Sequence, residues 1–241
     1  MLIRLLPALL AVITLALPSA GCRAETADDR AFGERVRVYL LAHPEVLQEM
    51  QMRLQAQQQG REDAAAATAV ASHRPALEHD PRDYVAGNPN GSVTMVEFFD
   101  YRCPFCRSSA NAILKWLAVH KNVRLVLKEL PMLSESSEHA ARAAIAARDS
   151  GRYLPIHEAF LAEKNLDDAA IARVLTAQGV DAARDKVAGV GPAATRQLQD
   201  VHTLAGDLGI NATPTVVVGG KLIPGWIPAD IEAAISGKPA A

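Results

Sequence analysis

Two cysteines separated by two residues constrain this chain more than any other feature. Cys103 and Cys106 follow the apolar, β-rich run Val93–Phe99, and Pro104 favours the first turn of a helix. An apolar helical face and a second strand-like run at 123–127 come next. The cysteines are therefore predicted to lie where a strand gives way to a helix, within a βαβ unit of an α/β fold.

That position suits thiol chemistry. The N-terminus of a helix carries partial positive charge and free N–H groups, which favour the thiolate form of the first cysteine. The thiolate is the form that attacks disulfides. We therefore predict a redox-active disulfide, in which Cys103 is the accessible nucleophile and Cys106, one turn inside the helix, is the shielded resolving thiol.

The cysteine pair also has alternative roles that compete with disulfide exchange. A zinc site needs two more ligands, and no second cysteine pair accompanies this one. A structural disulfide would close a very small loop and stabilise little. The rival from another class is a protein that captures Cu(I) with two thiolates, and a glutathione-dependent transferase or isomerase is a lesser one. Disulfide exchange itself needs no metal and no organic cofactor.

Two further features are candidates for the same site. Thr213–Pro214 precedes a predicted hairpin at 215–223, and an X-Pro bond there can be cis, although an ordinary loop proline is the alternative. Glu97 lies six residues before Cys103 on the predicted buried strand. A buried carboxylate is costly without a partner or a task. Glu97 is either a neutral acid that relays a proton to Cys106 or a residue that faces outward from the strand.

The N-terminus is typical of an exported protein. A short basic start, the apolar run 5–17 and small residues predict a signal peptide over 1–24, and hence a periplasmic location. The run is shorter than a membrane span requires. Cys22 follows the small residues, so it is either a lipoprotein anchor or is removed by cleavage after Ala24.

The remaining organisation follows from periodicity and breakers. Residues 25–75 are predicted to be helical, 76–91 to be a linker rich in proline and glycine, and 92–241 to be the α/β domain with a helical insertion at about 133–209. Within 31–59, apolar residues at heptad-compatible spacing favour either self-association into a homo-oligomer or packing against the rest of the chain. The net charge of −2 argues against a nucleic-acid partner.

The run Val96–Cys106 resembles the DsbA-type thiol–disulfide oxidoreductases of the bacterial envelope, and the resemblance covers roughly residues 80–241. It implies a thioredoxin fold with a helical insertion. It also implies that Pro214 is cis and lies beside the sulfur of Cys103, and that Glu97 is the buried acid of the family. Cysteine-containing client proteins and a membrane thiol oxidoreductase that resets the pair are the implied partners.

The segment 35–47 resembles the extra N-terminal helix of the copper-sensitivity-suppressor C-type (ScsC) branch. Some members of that branch oligomerise through this region and act as disulfide isomerases. The strongest oxidants of the family carry histidine between the cysteines, where Pro104 and Phe105 stand here. Because Phe105 supplies no charge to hold a thiolate, we expect a less oxidising potential.

Overall fold

The computed structural model describes residues 26–180 and 191–237. The predicted signal peptide, with Cys22, lies outside these residues. The chain divides into two compact units, 1–56 and 57–241. No helix in the described ranges is both long enough and apolar enough to cross a membrane.

The first unit contains α1 (Ala27–Ala42) and the beginning of α2 (Glu45–Ser72). The two helices separate at His43–Pro44, as the sequence predicts, because proline disfavours helical backbone in the residue before it. No residue of α1 is buried. The large apolar side chains that this unit leaves exposed are Phe32, Val36, Val38, Tyr39, Leu41, Leu47, Met50, Met52 and Leu54.

A five-stranded sheet forms the centre of the second unit, in the order β1-β3-β2-β4-β5. Its strands are β1 (Tyr84–Gly87), β2 (Val93–Phe99), β3 (Val123–Glu129), β4 (Thr215–Val218) and β5 (Lys221–Pro224). β2 and β3 are parallel neighbours, and every other pair is antiparallel. Side chains alternate along β2, so Met95 and Phe99 face one core while Val96 and Phe98 face the other.

Helices cover both faces of this sheet. They are α3 (Arg74–Glu78), α4 (Pro104–Val119), α5 (Glu135–Ala147), α6 (Tyr153–Ala162), α7 (Asp168–Ala177), α8 (Gly191–Asp207) and α9 (Pro228–Ser236). The core on the Met95 side includes residues of α4 to α7 and α9, and the core on the Phe98 side includes residues of α8, α3 and the end of α2. With α5 to α8 inserted between β3 and β4, this is the predicted thioredoxin fold with a helical insertion.

The segment 76–91 is not simply a linker, and the prediction is wrong there. It contains the edge strand β1, which pairs with β3 from Tyr84 to Gly87. Just before it, Leu77 of α3 is almost fully buried. Proline and glycine flank this stretch because a short edge strand can tolerate them at its ends.

Candidate active site

The two cysteines lie on the turn that joins β2 to α4. Cys103 is the N-cap residue of α4 and Pro104 occupies its first turn, as the sequence predicts. The backbone N–H of Cys103 donates to the carbonyl of Asp100 (3.1 Å), and the N–H of Arg107 donates to the carbonyl of Cys103 (3.1 Å). These bonds fix the first cysteine at the positive end of the helix dipole.

Both thiols are free, and both residues are buried, with 4% of Cys103 and 1% of Cys106 exposed. The prediction that Cys103 is accessible is therefore wrong in this structure, where Cys103 is nearly as buried as Cys106. The loop that carries Thr213 lies against the cysteine, so that the Cys103 thiol donates to the Thr213 carbonyl oxygen with Sγ 3.0 Å from it. By contrast, Phe105 between the cysteines is 72% exposed.

The Thr213–Pro214 peptide bond is cis, which confirms that part of the prediction. Two hydrogen bonds hold the loop around it. The Gly225 N–H donates to the Pro214 carbonyl (2.7 Å), and the Thr215 hydroxyl donates to the Ala212 carbonyl (2.8 Å). The structure thus brings residues 213–214 to the first cysteine across 110 positions of sequence.

The second thiol has a different electrostatic environment. Burial is the largest cause that raises the pKa of Cys106 well above its ordinary value, and the neighbouring Cys103 and Glu97 raise it further. Cys106 is therefore expected to remain a thiol until a base removes its proton. This asymmetry suits an attacking Cys103 and a resolving Cys106.

Glu97 lies on the face of β2 that meets α4, opposite Leu127 of β3, and only 5% of it is exposed. The alternative of an outward-facing strand residue is therefore wrong. Burial raises the pKa of Glu97 to about 8, so the carboxyl is mostly neutral near pH 7. It can carry a proton to or from the vicinity of Cys106.

A second buried acid was missed by the sequence analysis. Glu129 ends β3, two residues beyond the predicted strand, and its Oε1 accepts hydrogen bonds from the hydroxyls of Tyr101 (2.9 Å) and Tyr153 (2.6 Å). Burial raises the pKa of Glu129 to about 8, although these two hydrogen bonds lower it. The nearby imidazole of His157 has its pKa lowered to about 3 by burial. Nothing local marks Glu129 in the sequence, because its partners come from distant segments.

Asp100 was also missed. Its carboxylate is buried beside the active-site turn and accepts hydrogen bonds from four donors. Within the ranges that the structure describes, no three His, Cys, Asp or Glu side chains are grouped as a metal site would require.

Comparison with known proteins agrees with this geometry. Residues 79–236 match the family model described as thioredoxin. Residues 28–60 match the model of the N-terminal domain of the copper resistance protein ScsC. Together the two matches span both units of the chain.

Solved structures give the same picture. A thioredoxin-like oxidoreductase from Silicibacter pomeroyi DSS-3 is 37% identical and covers 68% of this chain and 96% of its own, with a TM-score of 0.64. ScsC from Proteus mirabilis, in a transitional conformation, is 28% identical and covers 88% of this chain and 96% of its own, also with a TM-score of 0.64.

Among curated sequences, the Na⁺/H⁺ antiporter NhaA 3 of Salinispora tropica is 34% identical over 164 residues, which are 64% of this chain and 24% of the antiporter. The chain spans about a quarter of the length of that relative. The similarity to the antiporter is thus to one part of a larger protein. The fold and the match over residues 79–236 show that the chain belongs to the thioredoxin family, and its residues 28–60 are similar to the N-terminal domain of ScsC.

Proposed function

We propose that the chain is an exported oxidoreductase that exchanges disulfides with cysteine-containing client proteins. The observation that carries this proposal is the position of Cys103, whose sulfur lies 3.0 Å from the Thr213 carbonyl oxygen beside the cis-proline. Cys106 lies behind it at the start of α4 and is buried. We therefore assign the attack on the client to Cys103, at the N-cap of α4, and the resolving role to Cys106, within the helix.

In the reducing direction, the Cys103 thiolate attacks one sulfur of a client disulfide. The client S–S bond breaks, one client sulfur leaves as a thiolate, and a mixed disulfide joins the other to Cys103. Cys106 then gives its proton to the ionised carboxyl of Glu97 and attacks the Cys103 sulfur. This step releases the reduced client and leaves the Cys103–Cys106 disulfide.

In the oxidising direction the same steps run in reverse. A client thiolate attacks the disulfide at Cys103, and Cys106 leaves as a thiolate. The protonated carboxyl of Glu97 returns a proton to it. Because the pKa of Glu97 is raised to about 8, both of its protonation states are accessible near neutral pH.

The test is to interrupt the second step. Cys106→Ser should accumulate mixed disulfides with clients, because Cys103 still attacks but nothing resolves the adduct. The matched variant Cys103→Ser should form none. In the reduced protein near pH 7, iodoacetamide should label Cys103 at least about tenfold faster than Cys106.

Mass spectrometry of non-reduced adducts and of labelled peptides provides both readouts. Preferential labelling of Cys106, or adducts that persist in Cys103→Ser, would contradict the assignment of roles. Binding of Cu(I) by the wild type without any disulfide exchange would favour the copper-capture alternative instead.

Location and electron supply belong to the same proposal. The signal-peptide pattern at 1–24 supports export. The 27% identical structure of a periplasmic thioredoxin-like protein from Salmonella enterica serovar Typhimurium supports a periplasmic location. There, a membrane thiol oxidoreductase would reset the cysteine pair after each turnover.

Disulfide isomerisation is a second activity that one observation favours. Leu47, Met50 and Leu54 are between 49% and 64% exposed on α2, at heptad-compatible spacing. An apolar stripe of this kind is stabilised by contact with copies of itself. In such an oligomer several Cys103 thiols would face a shared client, and a reduced pair could reshuffle its disulfides with no net oxidation.

A further inference from the structure

A buried carboxyl that takes no part in the exchange steps is bonded to the active-site turn. Glu129, at the end of β3, is only 3% exposed, and its Oε1 accepts hydrogen bonds from the hydroxyls of Tyr101 (2.9 Å) and Tyr153 (2.6 Å). Its other oxygen, Oε2, is buried and has no hydrogen-bond partner among the described residues. A buried polar atom without a partner is costly, which points to a task for this carboxyl.

The two hydroxyls that bind Glu129 come from different parts of the fold. Tyr101 belongs to the turn that the backbone N–H of Cys103 closes by its hydrogen bond, whereas Tyr153 is the first residue of α6 in the helical insertion. The sheet itself fixes Glu129, because this residue is paired with Phe99 of β2 in the register of the two strands. The carboxyl therefore ties the turn to the sheet, and it makes a separate bond to the insertion.

The Tyr101 side chain is held on several sides. Its hydroxyl has one hydrogen and donates it to Glu129, so the same oxygen accepts from Nδ1 of His157 at 3.3 Å. Its ring packs edge-on against Phe99 and Phe160, with centroid distances of 5.1 and 5.3 Å. A turn whose side chain is anchored in this way has little freedom to shift.

The position of the turn matters most for the second step of the exchange. In that step the Cys106 sulfur must approach the disulfide at Cys103 from the correct direction, and correct alignment within one chain accelerates such a reaction by orders of magnitude. Cys103 lies where the turn meets α4, two residues after Tyr101. A shift of the turn would therefore move one sulfur relative to the other.

We propose that Glu129 is a positioning residue that holds the active-site turn through Tyr101 and thereby aligns Cys103 with Cys106 for the resolving step. This inference rests on the proposed disulfide exchange and concerns the rate of one of its two steps. The first step, attack by Cys103 on an external disulfide, needs a single protein sulfur and does not depend on this alignment.

The chain offers a matched pair of substitutions. Tyr101→Phe and Tyr153→Phe each remove one hydroxyl from the same carboxyl oxygen, at residues that are 1% and 2% exposed, but only the first loosens the turn. Glu129→Leu removes the acceptor of both hydroxyls. Glu129→Gln keeps an oxygen for both, and it replaces a carboxyl that is mostly neutral near pH 7, because burial raises its pKa to about 8.

The experiment mixes reduced protein with oxidised glutathione at pH 7, stops the reaction with acid and follows the products by mass spectrometry. Attack by Cys103 releases one glutathione as a thiolate and leaves the other as a mixed disulfide. Attack by Cys106 on the Cys103 sulfur then releases the second glutathione and forms the Cys103–Cys106 disulfide.

We expect the rate of the second step to fall about tenfold in Tyr101→Phe and in Glu129→Leu. It should change by less than about twofold in Tyr153→Phe and in Glu129→Gln, and the first step should stay within about twofold of the wild type in all four variants. The recovery with glutamine distinguishes the hydrogen-bonded oxygen from mere filling of space.

Equal slowing of the second step in the two phenylalanine variants would show a merely structural role and overturn the proposal. An unchanged second step in Tyr101→Phe would overturn it as well. The comparison between these two variants stays decisive if Glu129→Leu fails to fold. A wild type whose Cys103 reacts with iodoacetamide but which forms neither the glutathione adduct nor the internal disulfide would refute the proposed function itself.

Discussion

At the scale of single residues, the buried carboxyl of Glu97 links the chemistry of the site to the stability of the fold. The unfolded chain ionises this group near its ordinary pKa of 4.5, whereas the folded chain keeps the proton up to about pH 8. Between these two values the folded state binds more protons than the unfolded state. The free energy of unfolding therefore falls as the pH rises through this window.

Glu97→Gln should remove that dependence, because an amide does not ionise. From pH 5 to pH 8, we expect the wild type to lose on the order of 3 kcal/mol of unfolding free energy relative to the variant. Urea unfolding at pH 5, 7 and 8.5 measures it. Glu158→Gln, at an exposed position, is the control and should give a constant difference. A constant difference for Glu97→Gln as well would contradict this account.

The residues that could be predicted from the sequence are those with local signals. Cys103 and Cys106 are marked by their spacing, and Thr213–Pro214 by its place before a hairpin. Asp100 and Glu129 carry no such mark, since three of the four donors to Asp100 lie 32 to 37 positions away and Tyr153 lies 24 positions from Glu129. Their roles depend on side chains that only the folded chain brings together.

At the scale of elements, β1 shows where periodicity is a weak guide. It has four residues, too few for an alternating pattern to stand out, and Pro81 and Pro89 flank it. Contacts with residues distant in the sequence fix this strand. Lys128 of β3 forms an ion pair with Asp83, just before β1, and donates to the Ala76 carbonyl (2.6 Å) at α3.

This ion pair is buried on both sides, with 1% and 2% of the two side chains exposed. Burial raises the pKa of Asp83 to about 6, and the charge of Lys128 opposes that rise. Asp83→Ala leaves the Lys128 ammonium buried with a carbonyl as its acceptor. We therefore expect the variant to lose about 3 kcal/mol of unfolding free energy near pH 7.

Chemical denaturation near pH 7 measures this loss. The matched control is Asp149→Ala, which breaks the ion pair between Asp149 and Arg148. The Asp149 side chain is 88% exposed. It should stay within about 0.5 kcal/mol of the wild type. If Asp83→Ala cost no more than the control, the pair would not anchor β1 and α3 to the sheet.

At the scale of the whole molecule, the boundary between the two units at residues 56 and 57 suggests how the predicted self-association can be tested. Val70 of α2 and Leu77 of α3 belong to the same core as Phe98, so the second unit needs both. The sequence predicted the helical region and its apolar stripe. It could not predict that the last turns of α2 pack in the same core as Phe98, because a hydrophobic pattern does not specify which residues it packs against.

We expect residues 26–241 to self-associate and residues 57–241 to be monomeric with unchanged alkylation of Cys103. Light scattering on both proteins measures the mass. A shorter fragment, 79–241, should unfold with about 3 kcal/mol less free energy because it loses the burial of Val70 and Leu77. A monomer for both longer proteins would remove the basis for isomerase activity and leave a simple oxidoreductase.

The position of Cys106 next to Cys103 also protects Cys103 from irreversible oxidation. Peroxide converts a thiolate to a sulfenic acid, and further oxidation to the sulfinic acid is irreversible for most proteins. Cys106 lies within interaction distance of Cys103, so its thiol can condense with a sulfenic acid there and expel water. The product is the Cys103–Cys106 disulfide of the proposed exchange reaction, so an oxidised Cys103 becomes a state from which a reductant restores both thiols.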